Sequence, residues 1–133
     1  MRPHVLVVED DFATREALRK ILEGEGCIVE VAPDGEKAVG CLAQRSYDAV
    51  VLDLALPKLS GTDVMEYVAS TNPSQLASMI VVTGLDALEI RKLFPAVRET
   101  LSKPVMPARL VASVRRCLGG RLQSNGTSGI SVA

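Results

Sequence analysis

The chain is poor in several things at once: it has one histidine, three cysteines and no surplus of either charge, with Lys+Arg 15 against Asp+Glu 16. Balanced charge argues against a nucleic-acid surface, because phosphate contacts need a clear basic excess. No direct nucleic-acid binding by this segment is expected. No apolar run approaches the roughly 18–20 residues of a membrane span, so no membrane association is expected either. A strand that begins within four residues of Met1 leaves no room for a signal peptide. Cys27, Cys41 and Cys117 are far apart, odd in number and without CxxC or Cys/His spacing. They read as small apolar core residues rather than metal ligands or a disulfide, a cytoplasmic profile. His4 has no second histidine with which to share a metal and reads as the start of a strand.

What the chain does have is a 47% hydrophobic composition over 133 residues, enough for one domain with a single core. Val5-Leu6-Val7-Val8 ends abruptly at Glu9-Asp10-Asp11, Ala49-Val50-Val51-Leu52 ends at Asp53, and Met79-Ile80-Val81-Val82 ends at Thr83-Gly84. Such runs, without polar alternation, predict central strands of a parallel sheet covered on both faces. Ile28–Val31 and Val97–Leu101 mix polar with apolar residues, as edge strands do. Between the runs the period becomes helical. Ala13, Ala17, Leu18, Ile21 and Leu22 form one apolar stripe, ended by Gly24 and Gly26. Asp34-Gly35 opens a second helix with Ala38, Val39 and Leu42 inward; Gly61 opens a third with Val64, Met65 and Val68 inward, closed by Asn72-Pro73. A short helix after Asp86 carries Leu88, Ile90, Leu93 and Phe94 and stops at Pro95; the last begins near Pro107 and buries Leu110, Val111, Val114 and Leu118. Strict βα alternation with short loops predicts an α/β fold, a doubly wound parallel sheet with helices on both faces. From Gly119 the composition changes to Gly, Ser, Asn and Thr, which cannot bury a core; residues 1–118 read as the domain and 119–133 as a flexible tail or linker.

In doubly wound sheets function collects at the carboxyl ends of the strands. Here those ends deliver Glu9 and Asp10, Asp53, Thr83 and, from the fifth strand, Lys103 followed by Pro104. Three carboxylates in one cleft raise each other's pKa or demand a counter-charge. Oxygen ligands without Cys or His suit Mg²⁺ better than Zn²⁺. Acid pair, central Asp, hydroxyl and Lys together describe a carboxylate nucleophile that receives a phosphoryl group with metal assistance. Asp10 or Asp11 has a second reading as the N-cap of the first helix, and Pro57 and Gly61 read as shaping the loop after Asp53.

Val-Val-Glu-Asp-Asp, then Asp53-Leu-Ala-Leu-Pro57 with Gly61, then Val82-Thr83-Gly84, then Ser102-Lys103-Pro104, in this order at successive strand ends, resembles the response-regulator receiver family of two-component signalling. The likeness runs from about Val5 to Leu118. It implies a flavodoxin-like three-layer sandwich of five strands in order 2-1-3-4-5 with five helices. It implies that Asp53 is the phosphoacceptor, attacking the phosphohistidine of a cognate sensor histidine kinase or phosphotransfer protein. Asp10 then resembles the direct Mg²⁺ ligand, Glu9 a ligand through a metal-bound water, and the Ala55 carbonyl the completing ligand. Thr83 resembles the hydroxyl that moves toward the phosphoryl group, Lys103 the cation that pairs with it, and Lys103-Pro104 the family's cis peptide. The implied protein is a signalling switch with self-phosphorylation and autodephosphorylation activity, not a metabolic enzyme.

The chain departs from the pattern in three places. Thr100 stands where the family usually carries Tyr or Phe, and a threonine cannot fill or vacate an aromatic-sized pocket; change is expected to spread instead through the loop after Thr83 and the short fourth helix. Ala55 and Leu85, at positions that tune hydrolysis in the family, cannot orient water by hydrogen bonding. An aspartyl phosphatase of the haloacid-dehalogenase type would need an Asp two residues after the nucleophile, where this chain has Ala55, and a flavodoxin-like cofactor site would need a Ser/Thr/Gly-rich loop after the first strand. A pseudo-receiver that only binds protein stays open. So do an output domain or a phosphorylation-dependent homodimer through the fourth and fifth helices, where Arg109, Arg115 and Arg116 either meet a partner or are solvated.

Overall fold

The computed structural model describes residues 2–84 and 86–119; Leu85 and 120–133, most of the expected tail, lie outside the described residues. Along the chain run β1 (His4–Val8), α1 (Phe12–Gly24), β2 (Ile28–Ala32), α2 (Gly35–Gln44), β3 (Ala49–Asp53) and α3 (Gly61–Thr71). A 3₁₀ helix (Pro73–Ser78), β4 (Met79–Thr83), α4 (Ala87–Leu93), β5 (Glu99–Ser102) and α5 (Pro107–Leu118) follow. All strand pairs are parallel, in the order β2-β1-β3-β4-β5. The expected architecture is the one observed.

Strand periodicity explains the uninterrupted apolar runs. Val5, Val7, Val51, Ile80 and Val82 face one side, where Leu18 and Leu22 of α1 and Leu110, Val114 and Leu118 of α5 cover them. Leu6, Val8, Val50, Leu52 and Val81 face the other, under Ala38 of α2, Val64, Met65 and Val68 of α3, and Ile90 of α4. After His4, which opens β1 half-buried, neither face of the three central strands meets water, and apolar residues fill them until the strand ends. Cys27 lies within the first of these cores, Cys117 against its margin and Cys41 against the other, as small apolar side chains.

The starts of α1 to α4 are set by side-chain caps, each contributing about 1 kcal/mol, whereas α5 starts on Pro107 without one. Asp11 caps α1 through Thr14 N (2.9 Å), and Asp34 caps α2 through Lys37 N (2.8 Å). Ser60 and Asp63 form a reciprocal capping box on α3, and Asp86 caps α4. α5 ends at Gly119, whose φ of 62° is left-handed.

Several local expectations are corrected. In α1 only Leu18 and Leu22 are buried; Ala13 and Ala17 are exposed and Ile21 is 40% exposed. The helix is rotated so that Thr14, Leu18 and Leu22 form its inner row. In α4, Leu88 and Leu93 are 60% and 65% exposed, because a two-turn helix presents only Ile90, with Phe94 just after it, to the sheet. β5 begins at Glu99 rather than Val97, since Val97 N–H is spent on Phe94 O in the preceding turn (3.1 Å). The 3₁₀ helix was not expected. Its Gln75 is buried and holds Tyr47 at both backbone groups, accepting from N (2.7 Å) and donating to O (2.9 Å).

Candidate functional site

In the order β2-β1-β3 the chain leaves β1 toward one side and β3 toward the other, and the diverging loops open a crevice between them. Glu9 and Asp10 follow β1, and Asp53 is the last residue of β3. A cavity of about 460 Å³ lies here, with Glu9, Asp10, Asp53, Ala55, Thr14 and Lys103 among its walls.

Asp53 is only 4% exposed. One carboxylate oxygen accepts from Lys103 Nζ (2.9 Å) and the other from Ala55 N–H (2.9 Å). Two backbone ties hold its neighbourhood: Leu54 N–H donates to Val82 O (3.0 Å) and Gly61 N–H to Leu54 O (3.2 Å). A Cβ on Gly61 would lie 2.5 Å from Leu54 Cα, and one on Gly35 1.9 Å from Leu59 O, so the loop between β3 and α3 is gripped at two points that only glycine permits. Lys58 in that loop adopts φ 65° and pairs with the α2 cap Asp34 at 3.7 Å. Lys103 N–H donates to Thr83 O (2.8 Å), tying the ends of β4 and β5, and the Lys103-Pro104 peptide is cis.

Ligand oxygens of Glu9, Asp10 and Asp53 lie within 4.8 Å of one another. Burial, and then the charges of Asp53 and Asp10, push the Glu9 carboxyl from 4.5 up to about 7, against the stabilising Asp11 N–H that it accepts at 3.0 Å. Lys103 is held above the usual lysine range, first by its hydrogen bond to Asp53 and then by the cluster's charges. One lysine does not balance three carboxylates, and the donor set is oxygen alone. That combination fits a hard divalent cation.

The structure thus brings Glu9, Asp10, Asp53, Ala55 and Lys103 around one cavity. Thr83 is wholly buried at the end of β4, in step with Val81 and so on the opposite face of the sheet from Val82, which lines the cavity. Asp11, its carboxyl lowered by Thr14, is the cap of α1, while the Asp10 carboxylate lies with those of Glu9 and Asp53. Thr100 is buried beside Val81, without an aromatic ring. Arg115 pairs with Glu25 (2.8 Å) and Arg116 with Glu99 (2.9 Å), so both are bound within the chain. One residue escaped the sequence reading: Arg15, whose guanidinium donates to Glu9 O (3.0 Å) and reaches Asp10 O (3.4 Å). A cation in the first turn of a helix, where the dipole disfavours it, was the available signal.

Fold and cleft together are those of a CheY-like signalling domain. Comparison with known proteins agrees. The model of the response regulator receiver domain matches residues 5–115, and the chain belongs to that family. Response regulator MprA of Mycobacterium sp. (strain KMS) is 37% identical over 120 residues, 89% of this chain and 51% of the relative. The chain therefore spans about half the length of the curated relatives it matches. Among solved structures, the receiver domain of Francisella response regulator 1452 superposes with a TM-score of 0.77 at 27% identity, covering 88% of this chain and 97% of the other. The non-phosphorylated HemR receiver domain from Leptospira biflexa gives 0.78 at 26% identity, covering 89% and 95%. No helix among the described residues is long and apolar enough to cross a membrane.

Proposed function

We propose that Asp53 accepts a phosphoryl group from a phosphohistidine on a sensor histidine kinase or phosphotransfer protein, with Mg²⁺ in the acidic cleft, and that this charge switches the output surface in the cytoplasm. The observation that carries the reading is the setting of Asp53: a carboxylate on the last residue of a buried strand, oriented by Lys103 and Ala55 N–H, with two further acids within metal-sharing distance.

In the proposed step an Asp53 oxygen forms a bond to phosphorus as the P–N bond to the donor imidazole breaks. The imidazole leaves with the electron pair and takes up a proton. Lys103 faces the phosphoryl oxygens with fixed positive charge that needs no reorganisation. Asp10, Asp53 and the Ala55 carbonyl would hold the cation directly, and Glu9 through a water. When bound, Mg²⁺ draws charge off the transferring group. The Thr83 hydroxyl donates to a phosphoryl oxygen after turning toward the cleft.

The donor histidine has to reach the cleft between α1 and the loop before α5. Phe12 at 68% exposed, the exposed row Ala13, Ala17 and Ile21, and exposed Met106 give an apolar landing for the donor's helices. On the output side, Leu88 and Leu93 of α4 stand exposed for an output domain or a second copy of the chain. With Thr100 in the place of an aromatic ring, the change travels from Thr83 through residues 84–94. Amide shifts with and without beryllofluoride test that route, and silence there rejects it.

Incubation with phosphoramidate or acetyl phosphate plus Mg²⁺ tests the whole reading. A single gain of roughly 80 Da that Asp53→Asn abolishes is expected. No gain, or a gain that survives the substitution, sinks it.

A further inference from the structure

We infer that Arg15 is a positioning residue for the metal-binding turn, its guanidinium clamping the carbonyls of Glu9 and Asp10 so that both carboxylates face Asp53. The inference rests on the receiver reading and concerns how that site is built.

Arg15 sits one turn into α1, where the helix dipole opposes a cation. Its compensation is local. Nη1 donates to Glu9 O at 3.0 Å and lies 3.4 Å from Asp10 O, while the guanidinium carbon stands 5.4 Å from the centre of the Phe12 ring. The same short reversal is pinned elsewhere too: Glu9 N–H donates to Ala32 O (3.0 Å), and Asp11 N–H to Glu9 Oε2 (3.0 Å). Without Arg15 the peptide planes of Glu9 and Asp10 lose their outward hold, and only a strand-end bond and a side-chain bond remain. The two planes are then free to rotate, and with them the direction of both carboxylates. Three acidic groups crowded within 4.8 Å, with one lysine among them, favour that rotation, since turning one acid outward relieves the crowding. Arg15 therefore holds an arrangement that the acids themselves resist.

Arg15 touches carbonyls, not the carboxylates or the reacting atoms. Its effect belongs to the affinity of the turn for the cation rather than to the chemical step. Groups that orient metal ligands from behind typically alter affinity by about 10–100-fold. At one clamp on a two-residue turn, the lower end is expected.

The experiment uses the metal-free chain titrated with MgCl₂ alone by calorimetry, alongside phosphoramidate uptake measured across Mg²⁺ concentrations and urea melts in EDTA. Arg15→Met keeps an apolar stem and removes the nitrogen that reaches both carbonyls. It is expected to weaken Mg²⁺ binding about tenfold and shift the Mg²⁺ dependence of uptake equally, with the saturated rate within about twofold of wild type. Arg15→Lys, which retains one donor, is expected in between. Phe12→Ala, at a side chain 68% exposed, is expected to weaken binding by a smaller factor without lowering the melt. Unchanged Mg²⁺ affinity in Arg15→Met overturns the inference. So does a lowered melt with a lost saturated rate, which marks a merely structural arginine. Failure of the wild-type chain itself to bind Mg²⁺ or take up phosphoryl is a separate outcome, and it removes the receiver reading along with this one.

Discussion

Glu9 gives the metal-free domain a contribution to stability that is larger in acid than at neutral pH. Its carboxyl is pushed from 4.5 to about 7, chiefly by burial and then by the charges of Asp53 and Asp10. Between those values the folded state keeps a proton that the unfolded chain has already released. Stability therefore falls as pH rises through that window and levels off above it. A tenfold change in proton affinity is worth about 1.4 kcal/mol, which puts a ceiling near 3.5 kcal/mol on the loss; the group is only half-buried, and solvent reduces this to about 1–2 kcal/mol. Other displaced groups do not mask the effect: Asp11 and Glu16 are lowered and act in more acidic solution, and Lys103 is raised and acts in more alkaline solution. A bound cation selects the ionised cluster. Mg²⁺ at ten times its dissociation constant should return about 1.4 kcal/mol at pH 8 and little at pH 5, flattening the profile. Urea unfolding followed by circular dichroism from pH 5 to 8, in EDTA and in Mg²⁺, measures both slopes. Glu9→Gln removes the titrating group, and the reasoning fails if that variant keeps the full wild-type slope in EDTA.

Gly61→Ala drives a Cβ to 2.5 Å from Leu54 Cα and 2.9 Å from Asp53 O, whereas Gly40→Ala on α2 meets nothing within 4 Å. The first should cost about 1–3 kcal/mol and slow phosphoryl uptake, the second should gain about 0.5–1 kcal/mol, and melts that move in the same direction refute the steric account. Lys103→Met removes the cation 2.9 Å from Asp53 and should slow uptake at saturating Mg²⁺ about 100-fold, read by mass spectrometry over time; an unchanged rate would show that the lysine is a bystander. Ala55 gives an attacking water no hydrogen-bonding side chain, so the phosphoryl group should outlast that of fast chemotaxis-type receivers, and complete loss within seconds of removing the donor contradicts this.

Strand identity was legible because a strand buried on both faces leaves no room for polar residues, so the first one marks its end. Asp53 and Thr83 close their strands by that rule, and Glu9 follows its own at once. The rotation of α1 was not legible in the same way. Ala13-Ala17-Ile21 and Thr14-Leu18-Leu22 are neighbouring rows about 100° apart, and periodicity alone does not say which row faces the sheet. The partner settles it: α5 offers Leu110, Val114 and Leu118, which cover the same core face as Leu18 and Leu22. Gln75 was hidden for a related reason, since its role is to satisfy Tyr47 N and O, and those backbone groups leave no trace in residue type. Arg15 and the choice between Asp10 and Asp11 depend on how one turn closes, which residue spacing does not encode.

Asp53 differs from its companions in the kind of backbone that carries it. It belongs to a ladder rung paired with Val82, in a strand flanked by others on both sides, whereas Glu9, Asp10 and Lys103 ride on connecting segments. If Asp53 takes up a phosphoryl group as proposed, it does so as an anvil: strain that arrives with the new charge would be absorbed by the parts standing around it, and the site would report the event without moving the atom where it occurs.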